Sequence, residues 1–313
     1  MRVLLAVSGG IDSMYMLHRA PELFPGASFA VAHCNFRLRG GESDGDEAFV
    51  REACAALGVE CFVKRFDTAA FASAGGISVE MAARQLRYAW FCELCLAHGF
   101  TALATAHNAN DNAETLILNL LRGTGTKGMR GIPSSCEAEP KDGPLIIRPL
   151  LGTTREGIRT WMEENGHKWR EDRTNAENGA RRNKIRNLVF PVFAEINPSF
   201  VKTLGEDMAR IRQTDDIADD YFAEAARRIV KANDNTLEIS VVPLLELKHW
   251  RYVLWRILED CSFNAETFEK LCALLERYRS EQPGTVTLSG KTFQSSTHLL
   301  RARRKTLILE NRL

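Results

Sequence analysis

The sequence predicts an α/β fold: a parallel sheet with crossover helices over residues 1–198, then a smaller helix-rich α+β domain over residues 199–313. Three observations carry this. Short apolar runs at residues 3–7, 29–32, 59–63 and 102–105 alternate with longer stretches of helical period, the pattern of strands buried on both faces and joined by helices. The first run leads straight into Ser8-Gly9-Gly10-Ile11-Asp12-Ser13, a glycine turn that opens a helix. Beyond Pro198 the alternation gives way to long periodic stretches at residues 200–231 and 243–258.

Within the first domain, helices are expected over residues 12–19, 44–57, 79–98 and 110–121, with Ser43 as N-cap of the second and Gly123 as the stop of the fourth. A further strand is expected near residues 146–149 and a helix from Thr153 or Thr154 to Glu164, and the sheet domain should close near residues 191–198. In the second domain a helix over residues 265–278 precedes strands at 285–288 and 306–309, which flank Ser289-Gly290-Lys291 and a basic segment. The segment 121–131, with four glycines and cations at Arg122, Lys127 and Arg130, is too glycine-rich to pack as a helix and reads as a loop.

Bulk properties narrow the class. A chain of 313 residues can bury two cores, and 45% hydrophobic with 26% charged residues is a globular composition. No apolar run approaches the roughly 20 residues that span a bilayer, which argues against a membrane protein. The apolar start, Met1 to Val7, is too short for a secretory leader and reads as the first strand, so the expected location is cytoplasmic. Eight scattered cysteines suit reduced thiols better than a disulfide framework. A net charge of +1 means that any polyanion contact rests on local clusters: Arg37 with Arg39, residues 122–130, Arg181-Arg182-Asn183-Lys184-Ile185-Arg186, and residues 301–305.

Strand, glycine turn and helix N-terminus together aim backbone N–H groups at one point where the helix dipole favours anions. The loop lacks the Gly-Lys-Ser/Thr ending of a Walker A motif and the third glycine of a dinucleotide fingerprint. Ser8 and Ser13 offer hydroxyls, and Asp12 can help hold magnesium. A second polar mouth follows the fourth strand in His107-Asn108-Ala109-Asn110-Asp111-Asn112-Ala113-Glu114-Thr115, where spacings of four and three place His107, Asp111 and Glu114 on one side of a helix start. Carboxylates there can hold magnesium, recognise an ammonium group or accept a proton from an amine; the plainer alternative is compensation of the helix N-terminus. Arg182 and Arg186 share a helix face after the acidic turn Trp169-Arg170-Glu171-Asp172-Arg173-Thr174-Asn175, either as a solvated face or as phosphate contacts.

Ser-Gly-Gly-x-Asp-Ser resembles the loop of the N-type ATP pyrophosphatases, the PP-loop family, whose sheet domain is Rossmann-like and similar to the adenine nucleotide alpha hydrolases. Taken in order with His33-Cys34-Asn35-Phe36-Arg37-Leu38-Arg39, Ala83-Arg84-Gln85-Leu86-Arg87-Tyr88, the 107–115 segment, Arg122-Gly123-Thr124-Gly125, Arg148-Pro149-Leu150 and residues 172–186, it is similar to the tRNA(Ile)-lysidine synthetase family. The similarity covers the sheet domain and extends more weakly beyond it. Phe36 stands where many relatives have a histidine-glycine pair, and the sequence stops soon after Leu309 where many relatives continue, which fits either a short architecture or a truncated chain.

That resemblance implies a ligase that consumes ATP with Mg2+, free L-lysine and the isoleucine tRNA with a CAU anticodon. Lysine would be joined to C2 of the wobble cytidine through an adenylated base, releasing pyrophosphate and then AMP. It implies catalytic roles for Asp12, Asp111, Glu114, Arg182 and Arg186, with magnesium on Asp12 and Asp111. Ser8, Gly9, Gly10, Ile11, Asp12 and Ser13 would hold the nucleotide, with His33 and Arg84 as further contacts and no catalytic role for His33. His107, Arg122, Lys127, Arg301, Arg303 and Arg304 would contact substrate. No membrane partner is implied, and a homodimer stays open beside a monomer. The rival reading is a PP-loop tRNA thiolase, whose reactive cysteines would have to be Cys92 and Cys95, a CxxC inside a helical run and better read as packing. Trp250, Tyr252 and Trp255 share one helix and read as core.

Overall fold

A computed structural model describes residues 1–138, 143–171, 181–233, 236–280 and 287–312, and the chain divides into two compact units, Met1–Arg212 and Gln213–Leu313. The first unit contains β1 (Arg2–Ala6), α1 (Ile11–His18), α2 (Ala20–Leu23), β2 (Ser28–Asn35), α3 (Gly41–Leu57), β3 (Cys61–Arg65), α4 (Thr68–Gly75), α5 (Val79–His98) and β4 (Ala102–Ala104). It continues through α6 (Ala109–Arg122), α7 (Thr126–Met129), β5 (Ser135–Glu137), β6 (Leu145–Ile147), α8 (Arg155–Glu164), α9 (Arg181–Lys184), a π-helical turn (Ile185–Val189) and α10 (Phe190–Ile196). The division falls inside α11 (Phe200–Ile229).

The sheet runs β3-β2-β1-β4-β6-β5, parallel except for β5, which pairs antiparallel with β6 at the edge. The α/β class is thus as the sequence predicts. Central β1 is apolar on both faces, and its side chains alternate between two cores. Val3 and Leu5 pack with α1 and α8 residues such as Met14, Leu17, Ile158 and Met162, whereas Leu4 packs with Phe91, Leu94 and Cys95 of α5. Because β1 and β4 are neighbours, the β1–α1 turn and the β4–α6 turn open at the same carboxyl edge, where parallel sheets bind ligands.

Several local expectations are corrected. Ser43 is not an N-cap: α3 starts at Gly41, and the Ser43 hydroxyl accepts from the Arg39 N–H at 3.2 Å, serving the preceding turn. The third strand starts at Cys61 rather than 59, because Gly58 in the left-handed region closes α3 and the Val59 N–H bonds back to the Cys54 carbonyl. Residues 126–129 do form a helical turn, held by the Asn119 side-chain amide donating to the Gly128 carbonyl at 2.8 Å. Gly123 does end α6. The unanticipated α4 is capped by Asp67, which accepts from the Ala70 N–H at 3.0 Å, and stops at Gly76.

One glycine is dictated by packing. Gly131 has φ +72°, and a Cβ there would lie 2.2 Å from Asn112 Oδ1 and 2.4 Å from the Met208 sulfur. The same Asn112 oxygen accepts from the Ile132 N–H at 2.6 Å, so it cannot withdraw without losing a buried hydrogen bond. Gly131→Ala is expected to cost about 3 kcal/mol or more, since left-handed strain adds to the clash. Chemical denaturation of the variant measures it.

The second unit adds β7 (Val230–Asn233), β8 (Thr236–Ser240), α12 (Val241–Glu246), α13 (Trp250–Leu258), α14 (Ala265–Ser280), β9 (Thr292–Gln294), β10 (His298–Arg303) and β11 (Thr306–Asn311). Its five strands form one antiparallel sheet, β7-β8-β11-β10-β9, more sheet than the helix-rich reading anticipated. The basic segment 301–305 is the end of β10 and its turn, with Arg304 at φ +48°. Of the expected strand at 285–288, residues 285 and 286 lie outside the described residues, and Leu288 is buried in the core without being in a strand. Trp250 is buried in that core and Tyr252 packs against it. No helix among the described residues is long and apolar enough to cross a membrane.

Candidate active site

The glycine turn is tied together by one hydroxyl. Ser13 Oγ accepts from the Ser8 and Gly9 N–H groups at 3.1 and 3.2 Å and donates to the Gly10 carbonyl at 2.9 Å. Ser13 is buried and shapes the loop; exposed Ser8 and half-buried Gly10 line the opening. Gly9 has φ +94°, a conformation that a side chain would strain, and its carbonyl accepts from the Arg170 N–H at 2.9 Å. Arg170 is fixed in turn by its Nε bond to Asp46 at 2.8 Å. No side chain caps α1, so its first N–H groups stay available to an anion.

Asn108 joins the two mouths. It caps α6 by accepting from the Asp111 N–H, while Asp111 Oδ2 accepts from the Asn108 N–H, both at 3.0 Å. Its side-chain amide donates to Asp12 Oδ1 at 2.9 Å, so one residue holds both candidate metal carboxylates, Asp12 through its side chain and Asp111 through its backbone N–H. Burial pushes the Asp12 carboxyl above its ordinary value, against the opposing pull of Arg155 and Asn108. The capping-box spacing Asn-x-x-Asp is the sequence signal for Asn108, though it says nothing of the bond to Asp12.

Glu114 lies behind this mouth. It is fully buried, and its Oε1 accepts from Arg186 Nε at 2.7 Å. Arg186 also reaches Asp111 Oδ1 at 3.4 Å, and Arg182 donates to Thr115 Oγ1 at 3.0 Å. Both arginines approach α6 from α9 and the π-helical turn, in which the Phe190 N–H reaches back five residues to the Ile185 carbonyl. Pro191, with no N–H of its own, follows immediately. Burial pushes the Glu114 carboxyl up, and the bond from Arg186 counters it only in part. His107 pairs with Thr105 Oγ1 at 3.0 Å, and its pKa is lowered by burial and by Arg148, Arg182 and Arg84, with Asp111 opposing.

A cavity of about 810 Å³ joins these parts. Ser8, Gly10, Ile11, Asp12 and Ser13 line it with His107, Asp111, Arg182 and Arg186, and with Arg87, Arg155, Arg159, Trp169 and Arg170. Six lining arginines against Asp12, Asp111 and Glu171 give a cation excess suited to a polyphosphate. Of the expected acidic turn 169–175, residues 172–175 lie outside the described residues.

Other sequence candidates sit elsewhere. His33 is buried, with Nδ1 at 2.9 Å from the Val7 carbonyl, and does not line the cavity. Arg84 is exposed and lies over the Tyr88 ring at 4.9 Å. Arg122 and Lys127 are exposed at the far end of α6 and on α7. In the second unit Arg301 pairs with Glu310, while Arg303 and Arg304 line a surface pocket of about 420 Å³ with Glu238 and Ser289. Cys92 and Cys95 are buried among α5 core residues, and burial, with Cys92 adding to it, pushes the Cys95 thiol up to about 12.

Loop and sheet define a PP-loop domain. The PP-loop domain family model matches residues 1–193, and the model of the TilS substrate binding domain matches residues 232–312. A tRNA(Ile)-lysidine synthase of Parabacteroides distasonis is 38% identical over 298 residues, covering 95% of this chain and 63% of that protein. That of Chlorobaculum tepidum is 39% identical over 288 residues, covering 88% of this chain and 83% of that protein. A U34-tRNA thiolase from Methanococcus maripaludis shares the fold, with a TM-score of 0.56 at 16% identity over 67% of this chain and 72% of that one. The chain belongs to the tRNA(Ile)-lysidine synthase family, and it spans 63% of the length of the Parabacteroides relative.

Proposed function

We propose that the chain activates the wobble cytidine of the CAU anticodon of isoleucine tRNA with ATP and then joins lysine to it, forming lysidine and switching the codon read from AUG to AUA. The observation that carries this reading is the cation-rich cavity that joins the PP loop to the Asp111, Arg182 and Arg186 mouth, in a chain of this family.

In the first step the cytidine O2 attacks the α-phosphorus of ATP. An O–P bond forms, the bond to the α,β-bridging oxygen breaks, and pyrophosphate leaves with that electron pair. The turn at Ser8–Ser13 and the open N-terminus of α1 take the phosphates. Arg182 and Arg186 offer guanidinium groups to the negative charge that builds at the α-phosphate. In the second step the lysine amine attacks C2 and AMP leaves. That amine is protonated at neutral pH, so a proton acceptor must stand close. Asp111 lines the cavity and is the acceptor in reach; Glu114, out of the cavity, holds Arg186 in place.

Among the described residues no group of three or more His, Cys, Asp or Glu is arranged to hold a metal. Mg2+ does not need one, because it keeps waters and takes one or two carboxylates together with phosphate oxygens. Asp12, with Asp111 beside it on Asn108, fits that sparse donor set, and the ion would neutralise phosphate charge.

Arg122, Lys127, Arg301, Arg303 and Arg304 are assigned to tRNA away from the reacting atoms, where exposed cations contact phosphates. The thiolase reading is disfavoured by the buried Cys92 and Cys95. Pyrophosphate release should require tRNA with a CAU anticodon and stop when its cytidine is replaced by uridine. Release that ignores the tRNA refutes the reading.

A further inference from the structure

We propose that Arg155 is a direct ligand of the β- and γ-phosphates of ATP and of the pyrophosphate that leaves. This rests on the activity proposed above and adds a residue that no motif singles out.

The geometry is that of a cation anchored at its backbone, with no acceptor for its guanidinium among the described residues. Arg155 is the first residue of α8, half-buried, and lines the cavity. Its backbone is fixed twice: its N–H donates to Asn110 Oδ1 at 2.9 Å, and the adjacent Thr154 caps α8 by accepting from the Gly157 N–H at 3.1 Å. The Ala109 N–H also donates to the Thr153 carbonyl at 2.9 Å, so the starts of α6 and α8 are stitched together. Ile158 and Met162 then lock α8 onto α1 in the core.

From this anchored position the guanidinium is the strongest charged influence on Asp12, yet it makes no ion pair with it. Among the described residues it has no hydrogen-bond acceptor at all. The other cavity arginines are engaged. Arg159 meets Glu163 and Glu171, Arg170 meets Asp46, Arg186 meets Glu114, Arg182 meets Thr115, and Arg87 lies over the Phe36 ring. A half-buried guanidinium facing the carboxylate that closes the phosphate turn, with five donors unused, matches phosphate oxygens two at a time. Attack at the α-phosphorus moves an electron pair onto the α,β-bridging oxygen, so the leaving pyrophosphate gains one negative charge. Arg155 meets that charge, and no proton or electron has to be supplied.

The test is tRNA-dependent exchange of labelled pyrophosphate into ATP without lysine, using the full chain. Arg155→Ala should lower exchange at subsaturating ATP about 30-fold and weaken inhibition by added pyrophosphate by a similar factor. Arg155→Lys should recover part of both, and the KM for lysine should stay within about twofold. Because the guanidinium has no hydrogen-bond acceptor among the described residues, the melting temperature should hold. Unchanged exchange and pyrophosphate inhibition in Arg155→Ala overturn the assignment, as does a rise confined to the lysine KM. If the wild-type chain shows no tRNA-dependent exchange, the proposed activity fails instead. Calorimetric titration of Mg-ATP and pyrophosphate into both proteins then still decides Arg155: equal affinities overturn it.

Discussion

Asp12→Asn should abolish AMP formation, with a fall of about a thousandfold, while raising the stability of the fold. The loss follows from removing the carboxylate beside the phosphates, where a fixed charge in a water-poor site acts most strongly. The gain in stability follows from linkage. Burial holds the Asp12 pKa above its ordinary value, so the folded chain binds the proton more tightly than the unfolded one. Stability associated with the protonated form is present below the unfolded pKa and is lost as pH rises through the raised folded one. At neutral pH the charged Asp12 is therefore a cost, which a neutral asparagine removes while its oxygen can still accept from Asn108. The same shift sets the pH profile: ATP cleavage needs the carboxylate, so it should fall, as pH drops, at a higher pH than an unperturbed aspartate would give. A single-turnover pH series with the melting temperatures of both proteins checks all three outcomes. Equal stability with retained activity would remove Asp12 from the site.

Glu114→Ala should damage both fold and turnover. Glu114 is fully buried, and its removal leaves the Arg186 guanidinium, itself only 23% exposed, with the more distant Asp111. Breaking a buried pair by deleting one partner costs roughly 3–5 kcal/mol, and partial exposure of Arg186 brings this to about 2–3 kcal/mol. Turnover should fall at least about a hundredfold, because Arg186 is no longer held towards the α-phosphate. Glu114→Gln keeps an acceptor for Arg186 Nε and should retain most of the stability. If Glu114 acts through Arg186, Arg186→Ala and the double variant should lose about as much activity as Glu114→Ala alone, a non-additivity that a double-mutant cycle measures. Additive losses would mean that Glu114 meets substrate itself.

What was legible in the sequence were features carried by local chemistry. The turn at Ser8–Ser13 and the polar start of α6 sit at strand ends, and the strand alternation alone places both at one sheet edge. Spacing also put Glu114 on the same side as Asp111, but not its depth: Ala113 and Leu118 pack in the apolar cluster behind α6, which draws Glu114 inward with Arg186 as its partner. Arg155 was silent because its meaning depends on two bonds across 45 residues or so of chain, the Arg155 N–H to the Asn110 side chain and the Ala109 N–H to the Thr153 carbonyl. In the second unit, β7 was obscured by Lys231 on an exposed position of a short edge strand, and β10, which lies between β11 and β9, by Arg301 and Arg303 on its exposed positions. His33 illustrates the opposite error of motif reading: its ring is spent on the Val7 carbonyl next to the loop rather than at the cavity.

The central claim, that this cavity joins lysine to an adenylated cytidine, is tested most directly by weighing the product. The chain is incubated with Mg-ATP, lysine and an isoleucine tRNA transcript, the RNA is digested, and the nucleosides are analysed by mass spectrometry. The expected result is a cytidine heavier by one lysine less one water, found at the wobble position and only when lysine is present. A wobble cytidine of unchanged mass, or one modified equally well without lysine, would contradict it.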